Sequence, residues 1–411
     1  MKILMVADSF YPESIGGSEN VIYNTSKNLV KYDHEVVILT GVRDRNTGNL
    51  CQYEDKEGVK VFRYKDYHRT FGFLYIPSII SCISAFKKVN KDFKFDIIHF
   101  HHPITSFAVN LSKGSCNIKK IYHFHGPANK EFEVDLAYRK AGFNFIKELF
   151  LPVWSMLKSR LLKFMECYSL NRSEKAITLS EYMKKNLIDI HKYPLEKIET
   201  IPGGIDMSVF FPVDDKRELR KKLNLPENKN IILTVRRLVA RMGVDNLIRA
   251  FADIIKLDRN FHLVIVGDGE MRKYLENLTV KLRIQDFTSF VGTVKTNMLS
   301  PYYQVSDIFV LPSITLEGFG LVTLEALASG IPVLASRTGG GITEILEKFK
   351  TKLLMPDAEP ATIKKAVIDF FKDNKDMFRI SNECRKFASE NFSWESSTIK
   401  IIEIYNKILN D

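Results

Sequence analysis

Short runs of Val, Ile and Leu recur along the chain, parted by stretches in which apolar residues return every three or four positions. In the first half the runs are Ile3 to Ala7, Glu35 to Leu39, Val59 to Phe62, Ile97 to His101, Ile121 to His125 and Ala176 to Leu179. A run that is apolar at nearly every position suits a strand covered on both faces, and the helical spacing between runs supplies the cover. The pattern predicts a parallel sheet. It stops in a turn-rich passage, Ile201-Pro-Gly-Gly-Ile-Asp206 and Phe211-Pro212, then restarts with Ile231 to Val235, Leu263 to Val266, Thr288 to Val291, Ile308 to Leu311 and Val333 to Ala335. The reading is α/β: two Rossmann-like, doubly wound domains, 1–206 and 207–393, with the amphipathic run 394–411 packing back on the first. Ligands of open α/β sheets bind beyond the carboxyl ends of the strands, so the expected active site lies in a cleft that the two domains face.

Composition narrows the class without naming it. The 411 residues are 45% hydrophobic and 27% charged, an ordinary globular balance with enough apolar side chains for two cores. The formal charge of +11 is spread over both halves rather than gathered in a stripe, which argues against nucleic acid and suits phosphorylated ligands or an acidic membrane surface. A plain bias towards lysine explains it equally well. Five cysteines, with no C-x-x-C pair, suggest neither a zinc site nor a disulfide framework, and a reducing cytoplasm is the expected setting. The N-terminus enters a strand without a signal peptide, and the uncharged stretch Thr70 to Phe86 falls short of the roughly 20 apolar residues of a membrane span.

Candidate chemistry sits where strands run out. Gly16 and Gly17 precede a helix, whose free N-terminal amides attract anions, although a plain turn would use the same pair. In the second half Val266-Gly-Asp-Gly269 ends one strand. The loop Leu311-Pro-Ser-Ile-Thr-Leu-Glu-Gly-Phe-Gly320 ends another and leads into a helix with exposed amides at Gly320. Glu317 lies in that loop and Glu325 eight residues on, so both carboxylates can serve one side of the helix start; two surface glutamates would show the same spacing.

Taken in order, these segments resemble the retaining GT-B glycosyltransferases of family 4, whose mark is a glutamate, seven residues and a second glutamate. The resemblance runs through Ile15-Gly-Gly-Ser-Glu19, His34-Glu-Val36, Asp96-Ile-Ile-His-Phe-His101, His123-Phe-His-Gly-Pro127, Ser180-Glu181, Ile201-Pro-Gly-Gly-Ile-Asp206, Val266-Gly-Asp-Gly269, Ser306 to Ser313, Glu317-Gly-Phe-Gly320, Glu325-Ala326, Gly330-Ile-Pro-Val333 and Gly339-Gly340. It implies that Glu325 holds the ribose of a nucleotide-sugar donor. Glu317, with the amides of Gly318, Phe319 and Gly320, would hold the transferred sugar, Gly16 and Gly17 would approach the phosphates, and His125 would lie near the reacting carbon.

One departure bears on chemistry. Where the family has Gly-Arg-Leu followed by Lys-Gly, this chain reads Val235-Arg-Arg-Leu-Val-Ala-Arg-Met-Gly243, so Arg237 takes the family arginine's place and Met242 that of the lysine, with Arg241 as the natural substitute. No Asp-x-Asp pair occurs, so no metal and no other cofactor is expected, and arginines with helix amides would answer the diphosphate. The acceptor is expected to be a saccharide or a polyprenyl- or lipid-linked one. The aromatic and basic stretch Ala137 to Lys163 would lie against the membrane, or simply form a helical pair. A nicotinamide-dependent oxidoreductase lacks its glycine fingerprint here, while a non-catalytic glycosyltransferase-like subunit stays open because of Met242.

Overall fold

The Val- and Ile-rich runs form strands because β-branched side chains are stiff and pack well on a sheet buried on both sides. The computed structural model describes residues 1–10, 16–42, 53–67, 75–140, 151–213, 215–295, 298–337, 340–374 and 376–411, with backbone alone at 137–140 and 151–154. The chain divides into two compact units: Met1–Glu133, Phe143–Gly203 and Trp394–Asp411 in the first, Val134–Gly142 and Gly204–Ser393 in the second.

The first unit holds β1 (Lys2–Ala7), β2 (Glu35–Val42), β3 (Tyr53–Lys56), β4 (Val59–Lys65), β5 (Ile97–Phe100), β6 (Lys119–Phe124), β7 (Lys175–Thr178) and β8 (Ile198–Thr200), in the order β3-β4-β2-β1-β5-β6-β7-β8. Every neighbouring pair is parallel except the hairpin of β3 and β4. The hydrophobic pattern misses β3 because Tyr-Glu-Asp-Lys is an exposed edge, and it misses β8 because three residues carry too little period. Side chains alternate across the sheet. On one face Leu4, Val6, Ile98, Phe100, Tyr122 and Phe124 pack with Phe86, Leu162 and Met165 of the helices Ile76–Phe93 and Leu151–Leu170. On the other, Ile3, Met5, Ile38, Ile97, Ile121 and Ile177 pack with Ile401, Tyr405 and Ile408 of the helix Trp394–Asn410, so the C-terminal helix completes the first core.

The second unit is a six-stranded parallel sheet of β9 (Asn230–Val235), β10 (Phe261–Val266), β11 (Thr288–Gly292), β12 (Ile308–Leu311), β13 (Val333–Ser336) and β14 (Leu354–Met355), ordered β11-β10-β9-β12-β13-β14. Both sheets are doubly wound α/β sheets, and each has a point where the winding reverses, β1 against β5 in the first and β9 against β12 in the second. Crevices that accept ligands open at the carboxyl ends of such strand pairs.

Candidate functional site

At the reversal point of the second sheet, β9 gives way to Arg236 and β12 to Pro312 and Ser313. The backbone leaving β9 is held by the glycines of the next strand. Arg236 N donates to Val266 O and Leu238 N to Asp268 O, both at 2.9 Å. A Cβ on Gly267, whose φ is +127°, would stand 1.8 Å from Arg236 O, and one on Gly269 would stand 2.4 Å from Leu238 O. Val266-Gly-Asp-Gly269 is therefore a backbone cradle for the arginine loop, and only glycine fits it.

That cradle sets which arginine turns inward. Arg236 has a side chain 3% exposed and donates through Nη2 to the Glu317 carboxylate and to Met242 Sδ, the latter at 2.8 Å. Its neighbour Arg237 is 63% exposed. Adjacent residues at a strand end point to opposite sides, so only one of the two could reach Glu317. The sequence reading chose Arg237 for the donor site; the side chain that meets Glu317 is Arg236, at the family's glycine position. Arg241, buried in the turn Ala240–Met242, donates from Nη1 to Leu316 O at 3.0 Å and so braces the loop that carries Glu317. Ser313 Oγ donates to Glu317 at 3.3 Å, and Glu317 pairs by a backbone bridge with Gly340. A Cβ on Gly341 would press to 2.3 Å from Gly318 O.

The loop ends at Gly320, which caps the helix Leu321–Ala328 with φ +77°. Phe319 is buried, its ring 6.1 Å from that of Phe392. Glu325, 4% exposed, accepts a hydrogen bond from the Tyr303 hydroxyl at 2.8 Å. Burial pushes its carboxyl up, and the Tyr303 bond only partly opposes this, leaving it at about 7. Glu317 and Glu325 thus differ in kind: the first faces a guanidinium, the second a buried phenol.

Beside the reversal point of the first sheet, β5 and the next strand β6 carry a row of imidazoles. His99, His101, His123 and His125 follow the period of two along the ends of β5 and β6 and stack, with ring centroids 4.5 Å apart for His99 and His101 and 4.6 Å for His123 and His125. His101 Nδ1 and His125 Nε2 lie 3.0 Å apart, and His99 Nδ1 lies 2.7 Å from the Tyr405 hydroxyl. Desolvation, reinforced by the neighbouring imidazoles, holds all four well below the ordinary histidine range, His99 at about 3, so each is neutral at pH 7. Nitrogens of His99, His101 and His123 come within 4.8 Å of one another. A metal ion lies in the plane of each imidazole it binds, and rings stacked within 24° of parallel do not share such a point. Sequence reasoning singled out His125 alone; the same-face spacing of 99 with 101 and 123 with 125 was the available signal for the stack.

Gly16 and Gly17 open the helix Gly17–Lys31. Beside them the buried Glu19 carboxylate accepts from Ser9 Oγ at 2.8 Å and from Ser18 Oγ at 3.0 Å. A Cβ on Gly17 would meet nothing within 4 Å among the described residues, so no described contact requires glycine there. Residues 11–15, Gly339 and most of the stretch Ala137 to Trp154, including Tyr138, Phe143, Phe145, Phe150 and Trp154, lie outside the described side chains. Beyond them, Met156, Leu157 and Phe164 stand exposed beside Arg160 and Lys163, and no described helix is long and apolar enough to cross a membrane.

Comparison with known proteins gives this geometry a context. Residues 15–209 match the family described as Glycosyltransferase Family 4, and residues 215–387 the family described as Glycosyl transferases group 1. An uncharacterised glycosyltransferase of Methanocaldococcus jannaschii is 27% identical over 408 residues, 98% of each chain. The alpha-monoglucosyldiacylglycerol synthase of Streptococcus pneumoniae is 26% identical over 348 residues, 82% of this chain and 71% of that one. Among solved structures, Anabaena HepE in complex with UDP and glucose superposes with a TM-score of 0.76 at 18% identity, over 99% of this chain and 100% of that one.

Proposed function

We propose, from the premise that the chain belongs to the GT-B glycosyltransferases of the family 4, group 1 type, that it moves a sugar with retention from a nucleotide diphosphate sugar to a saccharide or lipid-linked acceptor. The observation that carries the donor reading is the convergence of Arg236, Arg241, Glu317 and the helix capped at Gly320 on the reversal point of the second sheet, with Glu325 two turns along. HepE, of the same fold, binds UDP and glucose.

In this reading Glu325 accepts the ribose hydroxyls, and Glu317 with the amides of Gly318, Phe319 and Gly320 holds the sugar. Arg236 supplies the charge that Met242 lacks. Its guanidinium touches both Met242 Sδ and Glu317, so the cation enters from position 236 where the family brings it from 242. A guanidinium can clamp a diphosphate and offset the charge growing on the leaving group, and Arg241 keeps the loop in register, so no metal is required for this task. Arg237, exposed, is left a minor part. Gly17, where a Cβ would meet no described atom within 4 Å, leaves room for phosphates at a helix N-terminus, whereas the Glu19 carboxylate fills the position a Gly16 side chain would take. His125, neutral and hydrogen-bonded to His101, is suited to accept a hydrogen bond from the sugar.

With Glu317 engaged by arginine, that carboxylate is not free to act as a nucleophile, and the reading favours front-face displacement in which the departing phosphate takes the acceptor proton. Incubation with a panel of UDP-, GDP- and ADP-sugars and candidate acceptors, followed by NMR of the product anomer, tests it. Retention with no trapped glycosyl-enzyme supports the mechanism, inversion removes it, and a covalent sugar on Glu317 replaces it with double displacement.

The lipid side of the reading rests on Met156, Leu157 and Phe164 set among Arg160 and Lys163 on the helix Leu151–Leu170, and on the glycolipid synthase among the relatives. Such a face would hold the enzyme at an anionic membrane surface in the cytoplasm. Met242 favours a second reading, a non-catalytic subunit; indifference to every nucleotide sugar would select it.

A further inference from the structure

The face of the first sheet opposite the histidine stack carries a second group of titratable side chains, with no part in the donor site. The last turn of the helix Leu151–Leu170 presents Glu166 and Cys167, and the helix Glu181–His191 ends on His191. Cys167 Sγ lies 3.1 Å from His191 Nδ1, and His191 Nε2 lies 3.0 Å from Glu166 Oε2. The Tyr122 hydroxyl donates to the other Glu166 oxygen at 3.2 Å, and the Phe124 ring meets His191 edge-on at 5.7 Å. Thiol, imidazole and carboxylate stand in line, the order by which a cysteine is activated for nucleophilic attack.

The charge state follows from burial. A carboxylate with a side chain 1% exposed requires a counter-charge, and His191, also 1% exposed, is the group placed to supply it. Burial alone would pull His191 down. Its bonds to Cys167 and Glu166 outweigh that and hold it at about 9, and its position at a helix C-terminus acts in the same sense. With Nε2 paired with Glu166, His191 presents Nδ1 to the sulfur. The groups facing His191 are Glu166 and Cys167 on one helix and, through Glu166, Tyr122 on β6. Cys167 is partly exposed, while Cys82 and Cys384 are buried with thiols pushed up by desolvation, Cys384 to about 12.

We propose that Cys167 is a reversible oxidation site, its sulfur facing His191 Nδ1 and His191 held in turn by Glu166. With hydrogen peroxide as oxidant, the Cys167 sulfur attacks one oxygen, the O–O bond breaks, and the departing hydroxide takes the His191 proton and leaves as water. Sulfur is oxidised to sulfenic acid and peroxide is reduced to water. A small thiol then attacks that sulfur, displaces water and forms a mixed disulfide, which a second thiol reduces.

Peptide mapping by mass spectrometry after alkylation with iodoacetamide, in the full chain carrying Cys51→Ser, tests this. The exposed Cys116 serves as the ordinary thiol. At pH 7, Cys167 is expected to react at least about tenfold faster than Cys116. Dilute peroxide followed by dimedone should tag Cys167 ahead of Cys116, and dithiothreitol added before dimedone should abolish the tag. His191→Gln should bring the Cys167 rate down to that of Cys116. A Cys167 rate no higher than that of Cys116 in the chain with His191 intact would overturn the proposal, whether or not the variant folds, as would equal tagging of the two cysteines by dimedone.

Discussion

The two sheets share a winding plan and differ in what they place at or beside the point where it reverses. The first ends β5 and β6 in four stacked imidazoles, all neutral, satisfied in part by one another and by Tyr405. The second ends β9 and β12 in charges, Arg236 on Glu317, with a buried carboxyl at Glu325. Parallel strands buried on both sides exclude water from these ends, so an unpaired polar group there is costly, and the first sheet limits that cost by keeping its rings neutral. Under the proposed function, neutral rings would suit the unit that approaches an uncharged hydroxyl, and guanidinium with carboxylate the unit that holds a diphosphate and a ribose. The shared architecture supplies the crevice; the chemistry is written in the few residues after each strand.

Acid should separate the two units most strongly. Each buried histidine of the stack titrates in the folded chain below its unfolded value of about 6.5, so the unfolded state binds more protons and stability falls as pH drops from there. Between pH 7 and pH 5 the stack therefore lowers the stability of the unit that contains it, and His191 in the same unit, held at about 9, offsets only part of that loss. Glu325 acts in the opposite sense in the second unit: raised to about 7, it is more protonated folded than unfolded, so acid favours that fold. Urea unfolding followed separately in the two units at pH 7 and pH 5 checks this, and equal losses would erase the contrast.

The next effect is on turnover. Arg236→Ala should lower kcat/KM with the best donor by about 10² to 10³, or roughly 3 to 4 kcal/mol, because it removes the cation from Glu317 and from the diphosphate. Arg237→Ala should cost less than about threefold. The reverse order would return the role to the exposed arginine. Smallest is Tyr405→Phe, which takes a hydroxyl from His99 and should cost about 1 kcal/mol of stability in denaturant titration, with donor affinity unchanged.

Much of this was legible in the chain, and what was not has physical causes. The long parallel strands announced themselves because both faces are apolar, whereas the edge strand β3 is polar on both sides and looks like loop. Glu317 and Glu325 stood out by spacing between glycines. Their partners did not: Tyr303 reaches Glu325 from a separate five-residue helix, a contact no local period announces. The choice between Arg236 and Arg237 depends on how the cradle of Gly267 and Gly269 turns the backbone, and adjacent residues of one type give no local signal to choose by. Cys167 and His191 are 24 residues apart and meet only because two helices end together.

The central claim, that the second unit holds the donor through Glu325 and Arg236, is tested most directly by donor affinity against pH. The probe is the tightest binder among UDP-, GDP- and ADP-sugars, whose diphosphate, esterified at both ends, has no proton titrating near neutrality. An ionised carboxylate accepts from both ribose hydroxyls, while a protonated one loses its charge and gives up one acceptor oxygen, so binding should be tight above pH 7 and weaken by up to about tenfold per unit below it. In Glu325→Gln affinity should be lower and flat with pH. A profile that is flat in the parent chain, or that keeps its step in Glu325→Gln, would contradict the account.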